Sequence, residues 1–197
     1  FLIEIFILRF MKKIILLYFL IACLIGVNAQ VVNLGSPIGW KGKLNLNNLQ
    51  IIKMVGYNQA VIDKQDFIND KAKDRPWRFR YKYDVSFNLE NSGRWTILPN
   101  GDRVWQLLVH CEGALSVNFL FENFNIPKGA YLHIYDYNKT NRVGAYTFKN
   151  NREDGALGTE IVQGEKVIIE YVEPLNVIGQ GRFSITNVVH GYRSIGP

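Results

Sequence analysis

From Trp77 to Arg193 the apolar residues of this chain recur with a period of two, and turn signals interrupt them at intervals of about 8–12 residues. Successive side chains of a strand point to opposite faces, so this spacing calls for half-buried strands rather than helices. Trp105, Leu107 and Val109 share one face of residues 103–110, and Leu115, Val117, Phe119 and Phe121 share one face of 114–121. Val167, Ile169 and Tyr171 do the same in 166–172. Phe183, Ile185 and Val189 do so in 183–190, with Asn187 as an exception. Between these runs lie Asn100-Gly101, Pro127-Lys-Gly129, Asn138-Lys-Thr-Asn141, Asp154-Gly155, Gln163-Gly164 and Gly179-Gln-Gly181. Glycine supplies positive φ in such turns, and Asn and Asp bond their own backbone. Asn100-Gly101, between Ile97 and Val104, predicts a tight hairpin turn. Eight or nine short strands with no helix between them predict an all-β domain over residues 76–197: an antiparallel two-sheet β-sandwich of jelly-roll type.

The N-terminal part reads differently. Residues 1–10 contain no Met and are expected to be read-through upstream of the true start. Met11, Lys12-Lys13 and the apolar run Ile14 to Val27 have the layout of a signal peptide over residues 11–29, with cleavage between Ala29 and Gln30. Leu20-Ile-Ala-Cys23 also fits a lipid-attachment pattern, but Leu24, Ile25 and Gly26 carry the apolar run past Cys23. A retained membrane anchor is the other alternative, against which Glu4, Arg9 and Lys12-Lys13 interrupt the run. The expected product is secreted and touches the membrane only through its signal peptide. Residues 30–75 are rich in Asn, Lys, Gln and Asp and are expected to form a loosely structured lead-in, with a short helix near 60–70.

Charge and cysteine narrow the function classes. The chain carries +6 at neutral pH, and +4 once Arg9, Lys12, Lys13 and Glu4 are removed with the leader. The positive residues are scattered, whereas nucleic-acid binding requires a clustered basic face, so no nucleic-acid partner is expected. Only Cys111 remains beyond the leader, and it follows the apolar run Val104 to Val109, which predicts a buried thiol. A monomer is expected.

No residue set predicts chemistry. None of Ser36, Ser86, Ser92, Ser116, Ser184 and Ser194 lies in a Gly-x-Ser-x-Gly or Gly-Asp-Ser-Gly-Gly frame, so no nucleophile pairs with His110, His133 or His190 by motif. His110-Cys111-Glu112 is the densest set of metal-ligating types, but neighbours on a strand point apart. His133 and Asp136 likewise face opposite ways. Glu153 and Asp154 give only a weak calcium signal. No catalytic residue, cofactor or metal is therefore expected. Trp95, Trp105, Tyr131, Tyr135, Tyr137 and Tyr146 form a stacking platform for sugars if exposed, although large aromatics more often fill a sandwich core. Asn138-Lys139-Thr140 is a formal glycosylation sequon.

Seven phrases follow one another in a familiar order: Pro76-Trp-Arg-Phe79, Gly93-Arg-Trp95, Leu98-Pro-Asn-Gly-Asp-Arg-Val-Trp105, Ile126-Pro-Lys-Gly-Ala-Tyr-Leu-His-Ile-Tyr135, Gly144-Ala-Tyr-Thr-Phe-Lys-Asn-Asn151, Val167-Ile-Ile-Glu170 and Val188-Val-His-Gly-Tyr-Arg193. In these the chain resembles the N-terminal region of secreted bacterial trypsin-like serine endopeptidases of the lysyl endopeptidase type. The resemblance implies a β-rich pro-region that assists folding, latency or targeting of a serine protease domain. The catalytic residues of that family lie downstream, so none transfers to this chain, which is expected to stop short of a protease domain. Lys64, Lys71, Lys73 and Arg75 would then be cutting points for a protease specific for basic residues. The alternative is a free-standing secreted module that binds carbohydrate or a cell surface.

Overall fold

A computed structural model describes residue 11 and residues 35–42, 44, 49–72 and 76–194. The expected cleavage point, Ala29 and Gln30, lies outside the described residues, as do Lys73 and Arg75. Among the described residues eleven strands form two sheets: β1 (Ile51–Lys53), β2 (Arg80–Asn88), β3 (Arg94–Ile97), β4 (Arg103–His110), β5 (Ser116–Asn125), β6 (Tyr131–Asp136), β7 (Arg142–Thr147), β8 (Leu157–Gly158), β9 (Val162–Gln163), β10 (Lys166–Glu173) and β11 (Arg182–Gly191). One sheet, A, has the order β1-β4-β10-β6-β7, with β3 also on β4. The other, B, has the order β2-β11-β5-β8, with β9 also on β5. All pairs are antiparallel except β1 with β4. The expectation of an all-β two-sheet sandwich holds.

The two sheets meet in an aromatic core. Phe183 is its hub, with the rings of Trp105, Phe121 and Tyr171 edge-on at 5.5, 5.5 and 5.4 Å. Edge-to-face contacts of this kind place the positive ring rim on the negative face of its neighbour. The expected inner faces of β4 and β10, Trp105-Leu107-Val109 and Val167-Ile169-Tyr171, are fully buried there. The Asn100-Gly101 hairpin forms between β3 and β4. Leu98 N–H donates to Asp102 O at 2.8 Å, and Gly101 takes φ +85°.

Two strand expectations need correction. Leu115 precedes β5 and is half-exposed, because the strand begins only at Ser116. In β11 a bulge between Ile185 and Asn187 shifts the parity by one. Val188 rather than Val189 then joins Phe183 and Ile185 in the main core, and Asn187 bonds Asp84 Oδ1 at 2.7 Å. A bulge re-aims every side chain beyond it, and a strict period of two cannot reveal that.

The described part of the lead-in is not loose. Residues 38–41 form a single 3₁₀ turn, β1 joins sheet A, and a helix, α1, spans Gln59–Ala72. The short helix expected near 60–70 is thus present and longer. Asn58 caps α1, its Oδ1 accepting the Val61 N–H at 3.3 Å. Only Ile62 and Asp66 of the helix are buried, one turn apart on one face. Asp66 accepts hydrogen bonds from Arg78 Nε at 2.8 Å and the Tyr192 hydroxyl at 2.9 Å, and lies 3.2 Å from Arg193 Nη2. A buried carboxylate with such partners fastens the helix where its apolar contact is slight. Among the described residues no helix is long and apolar enough to cross a membrane.

Candidate functional site

Sheet A is buried on both faces at its centre. The second, outer face carries Gln106 and Leu108 of β4, Ile168 and Glu170 of β10, and His133 and Tyr135 of β6, side by side in register. All six are at most 3% exposed. Tyr131, His133 and Tyr135 do alternate on one face, as their spacing says, but it is this outer face and not the inter-sheet core.

What covers them is the lead-in. Trp40 stands edge-on to Tyr135 at 6.0 Å, and Trp40 and Leu49 pack with Leu108, Tyr135 and Ile168 in a second small cluster. Glu170 is the centre of the contact. One carboxylate oxygen accepts the Ile38 N–H at 2.6 Å. The other accepts the Gly39 N–H at 2.9 Å, the Gln106 side-chain amide at 2.9 Å and the Tyr135 hydroxyl at 2.8 Å. From the loop between β6 and β7, Lys139 Nζ donates to Gly39 O at 2.7 Å, and Arg142 on β7 donates to Gly35 O at 2.7 Å. Position 39 favours glycine. A Cβ there would collide with the Tyr135 hydroxyl and come within 2.9 Å of Glu170 Oε2, so these buried groups would have to move.

The electrostatics follow from burial. Desolvation pushes the Glu170 carboxyl up from its ordinary range, and its four hydrogen bonds pull it back in part. Tyr135 is raised by burial and by the neighbouring Glu170 charge. His133 is fully buried with neither ring nitrogen hydrogen-bonded, and it is lowered to about 4, first by burial and then by the charges of Arg142 and Lys41.

The remaining candidates are dispersed. His190 is buried edge-on to Tyr57 at 4.8 Å, with both nitrogens unpartnered. His110 Nε2 lies 3.4 Å from Glu165 at the far end of β4. Cys111 is buried as expected, and desolvation pushes its thiol up to about 12. Its neighbour Glu112 is exposed in a turn, and among the described residues no three of His, Cys, Asp and Glu converge on a point. Glu153 and Asp154 are exposed, and Asp154 is engaged by Arg152 at 3.0 Å and by the Ala156 amide at 3.0 Å. Asp136, set opposite to His133, ties the loop 137–141 by accepting from Thr140 and Asn141 amides, each at 2.7 Å. Asn138 of the sequon is exposed on that loop, beside a shallow polar cavity of about 470 Å³ that reaches Gln163 and Lys166. Of the six aromatics considered as a sugar platform, Trp105, Tyr135 and Tyr146 are buried, which leaves Trp95, Tyr131 and Tyr137 partly open.

Sequence reasoning missed the Glu170 cluster. A usable signal existed: a single carboxylate in the middle of Val167-Ile-Ile-Glu-Tyr-Val172, a run apolar on both faces. Such a run marks a strand buried on both sides, and a charge within it must be paired or hydrogen-bonded. No protein-family model matches the chain, and no solved structure matches it significantly.

Proposed function

We propose that this sandwich is a non-catalytic module of jelly-roll winding that serves as the pro-region of a secreted trypsin-like serine endopeptidase, assisting its folding and keeping it latent. The winding is supported by the strand orders β4-β10-β6-β7 and β2-β11-β5-β8, with the chain passing repeatedly from one sheet to the other. The observation that carries the functional reading is where the shared phrases fall. Gly93-Arg-Trp95 packs under Trp105, whose indole N–H donates to Ser92 O at 2.7 Å. Leu98–Trp105 makes the β3–β4 hairpin, Ile126–Tyr135 leads into β6, and Tyr192-Arg193 grips Asp66. These residues build and fasten a scaffold, which suits a domain that acts by binding another rather than by chemistry.

A scaffold that binds the folded protease better than the unfolded one stabilises it by mass action, and if it covers the cleft it also inhibits. The test adds the purified secreted chain to a mature Lys-specific serine endopeptidase and follows hydrolysis of a Lys ester. Slower hydrolysis with rising module concentration is expected. Unchanged rates at high micromolar module, together with an unchanged refolding yield of the denatured protease, would refute the reading.

One observation favours the second reading, a module for carbohydrate or a cell surface. Trp77 is 47% exposed and stacks on Phe79 at 5.5 Å, with rings inclined by 20°. Depletion of the chain from solution by insoluble polysaccharide, abolished by Trp77→Ala, would place that reading ahead.

A further inference from the structure

Residues 36–41, Ser-Pro-Ile-Gly-Trp-Lys, lie on the outer face of sheet A in the way a ligand lies in a site. The contact is made through the backbone amides of Ile38 and Gly39 on Glu170, through the Gly39 carbonyl on Lys139, and through the Trp40 ring on Tyr135. It is selective, because a Cβ at position 39 would collide with the Tyr135 hydroxyl and Glu170 Oε2 and force these buried groups apart. It is also incomplete. His133 stands beside Glu170 in register, fully buried, with both ring nitrogens unmatched by the segment. A buried polar group without a partner calls for an explanation, and beside this contact an occupant that leaves it unused supplies one.

We propose that this face is a recognition site for peptides that present a Gly–aromatic turn, that residues 36–41 fill it in cis, and that a second peptide of this class takes it when they are displaced. The best ligand has free amides at and before the glycine, an aromatic side chain directly after it, and a polar group within reach of His133. Tethering gives the chain's own segment an effective concentration on the order of millimolar, so the unmodified protein resists exchange. The inference stands apart from the pro-region reading, since it needs no protease.

The test uses the full chain carrying Gly39→Val and a fluorescein-labelled Ser-Pro-Ile-Gly-Trp-Lys peptide, with binding followed by anisotropy. The variant should bind at least about tenfold more tightly than the unmodified chain. Adding Glu170→Gln should weaken that binding by about tenfold or more, since it removes the charge from the hydrogen bonds. A peptide with Val in place of Gly should not bind. No binding by a folded Gly39→Val chain, or indifference to Glu170→Gln, overturns the proposal. If Gly39→Val does not fold, amide exchange on the unmodified chain decides: Ile38 and Gly39 should exchange through a local opening well before Ile169 of β10. Protection of the two amides equal to that of Ile169 overturns it.

Discussion

Burial keeps the His133 imidazole neutral in the folded chain down to a pH of about 4, whereas the unfolded chain takes up the proton near the ordinary value of 6.5. Between these values the unfolded state binds more protons, so stability falls as the solution is acidified, by about 1.4 kcal/mol per pH unit. The contribution is complete above the unfolded value, and acidification to about 4 removes on the order of 3 kcal/mol. Glu170 works in the opposite sense. Its carboxyl is raised, so the folded chain takes up that proton earlier and is favoured by mild acid. Replacing His133 with Leu isolates the histidine, because the apolar side chain fills a similar volume with nothing to protonate. Urea unfolding from neutral pH to about pH 4.5 should show a smaller loss of stability in His133→Leu than in the unmodified chain. Parallel curves would mean that the imidazole is solvated in the folded state.

At the level of elements, α1 tests how a helix with little apolar contact is held. Val61, Phe67 and Ile68 are exposed, and Ile62 alone contributes a buried apolar side chain. The helix therefore rests mainly on polar contacts, with buried Asp66 held by Arg78, Tyr192 and Arg193, and with Asp70 on Arg193 and Gln65 on Arg78 beside it. Asp66→Asn keeps the shape but takes the charge partner from Arg78 and one of two from Arg193, which keeps Asp70 at 2.9 Å, and should cost about 2 kcal/mol of local stability. Lys64 and Lys71 lie within the helix, and a protease must unwind a segment to cut it. Limited trypsin digestion should cut at these lysines readily in Asp66→Asn and slowly in the unmodified chain; equal rates would show that the latch does not hold the helix. The latch also explains what the sequence could and could not disclose. Alternation at Trp105-Leu107-Val109 reports a local property of the backbone, and those positions were legible. The bulge at β11, the Asp66 cluster and the Glu170 site depend on residues brought together from distant positions, and no local period encodes them. Glu170 was the exception that could have been suspected, since its own strand isolates it among apolar neighbours.

At the scale of the whole molecule, the winding decides when folding can begin. β11 is the central strand of sheet B, lying between β2 and β5, and pairs Ser184 with Asn88 and Glu122. β10 occupies the same place in sheet A, between β4 and β6. Both central strands therefore come late in the chain, and the pairings that complete the sandwich close loops of many tens of residues. Folds dominated by such non-local pairs fold in milliseconds to seconds, slower than helical bundles of similar size. The core hub, Phe183, also belongs to β11, so it arrives after every ring it touches. A chain ending before Arg182 would retain the strands of sheet A but would leave β2 unpaired on the side that β11 covers. It would also expose the inner faces of Trp105, Phe121 and Tyr171. Such a chain should show no cooperative thermal transition, should bind a dye for exposed apolar surface, and should be degraded rapidly by trypsin. Restoring residues 182–194 should recover all three properties together, because a central strand and an aromatic hub are gained in a single step. Cooperative unfolding by the shorter chain would show that sheet A with its covering lead-in is stable without sheet B, and would refute the dependence argued from the strand order.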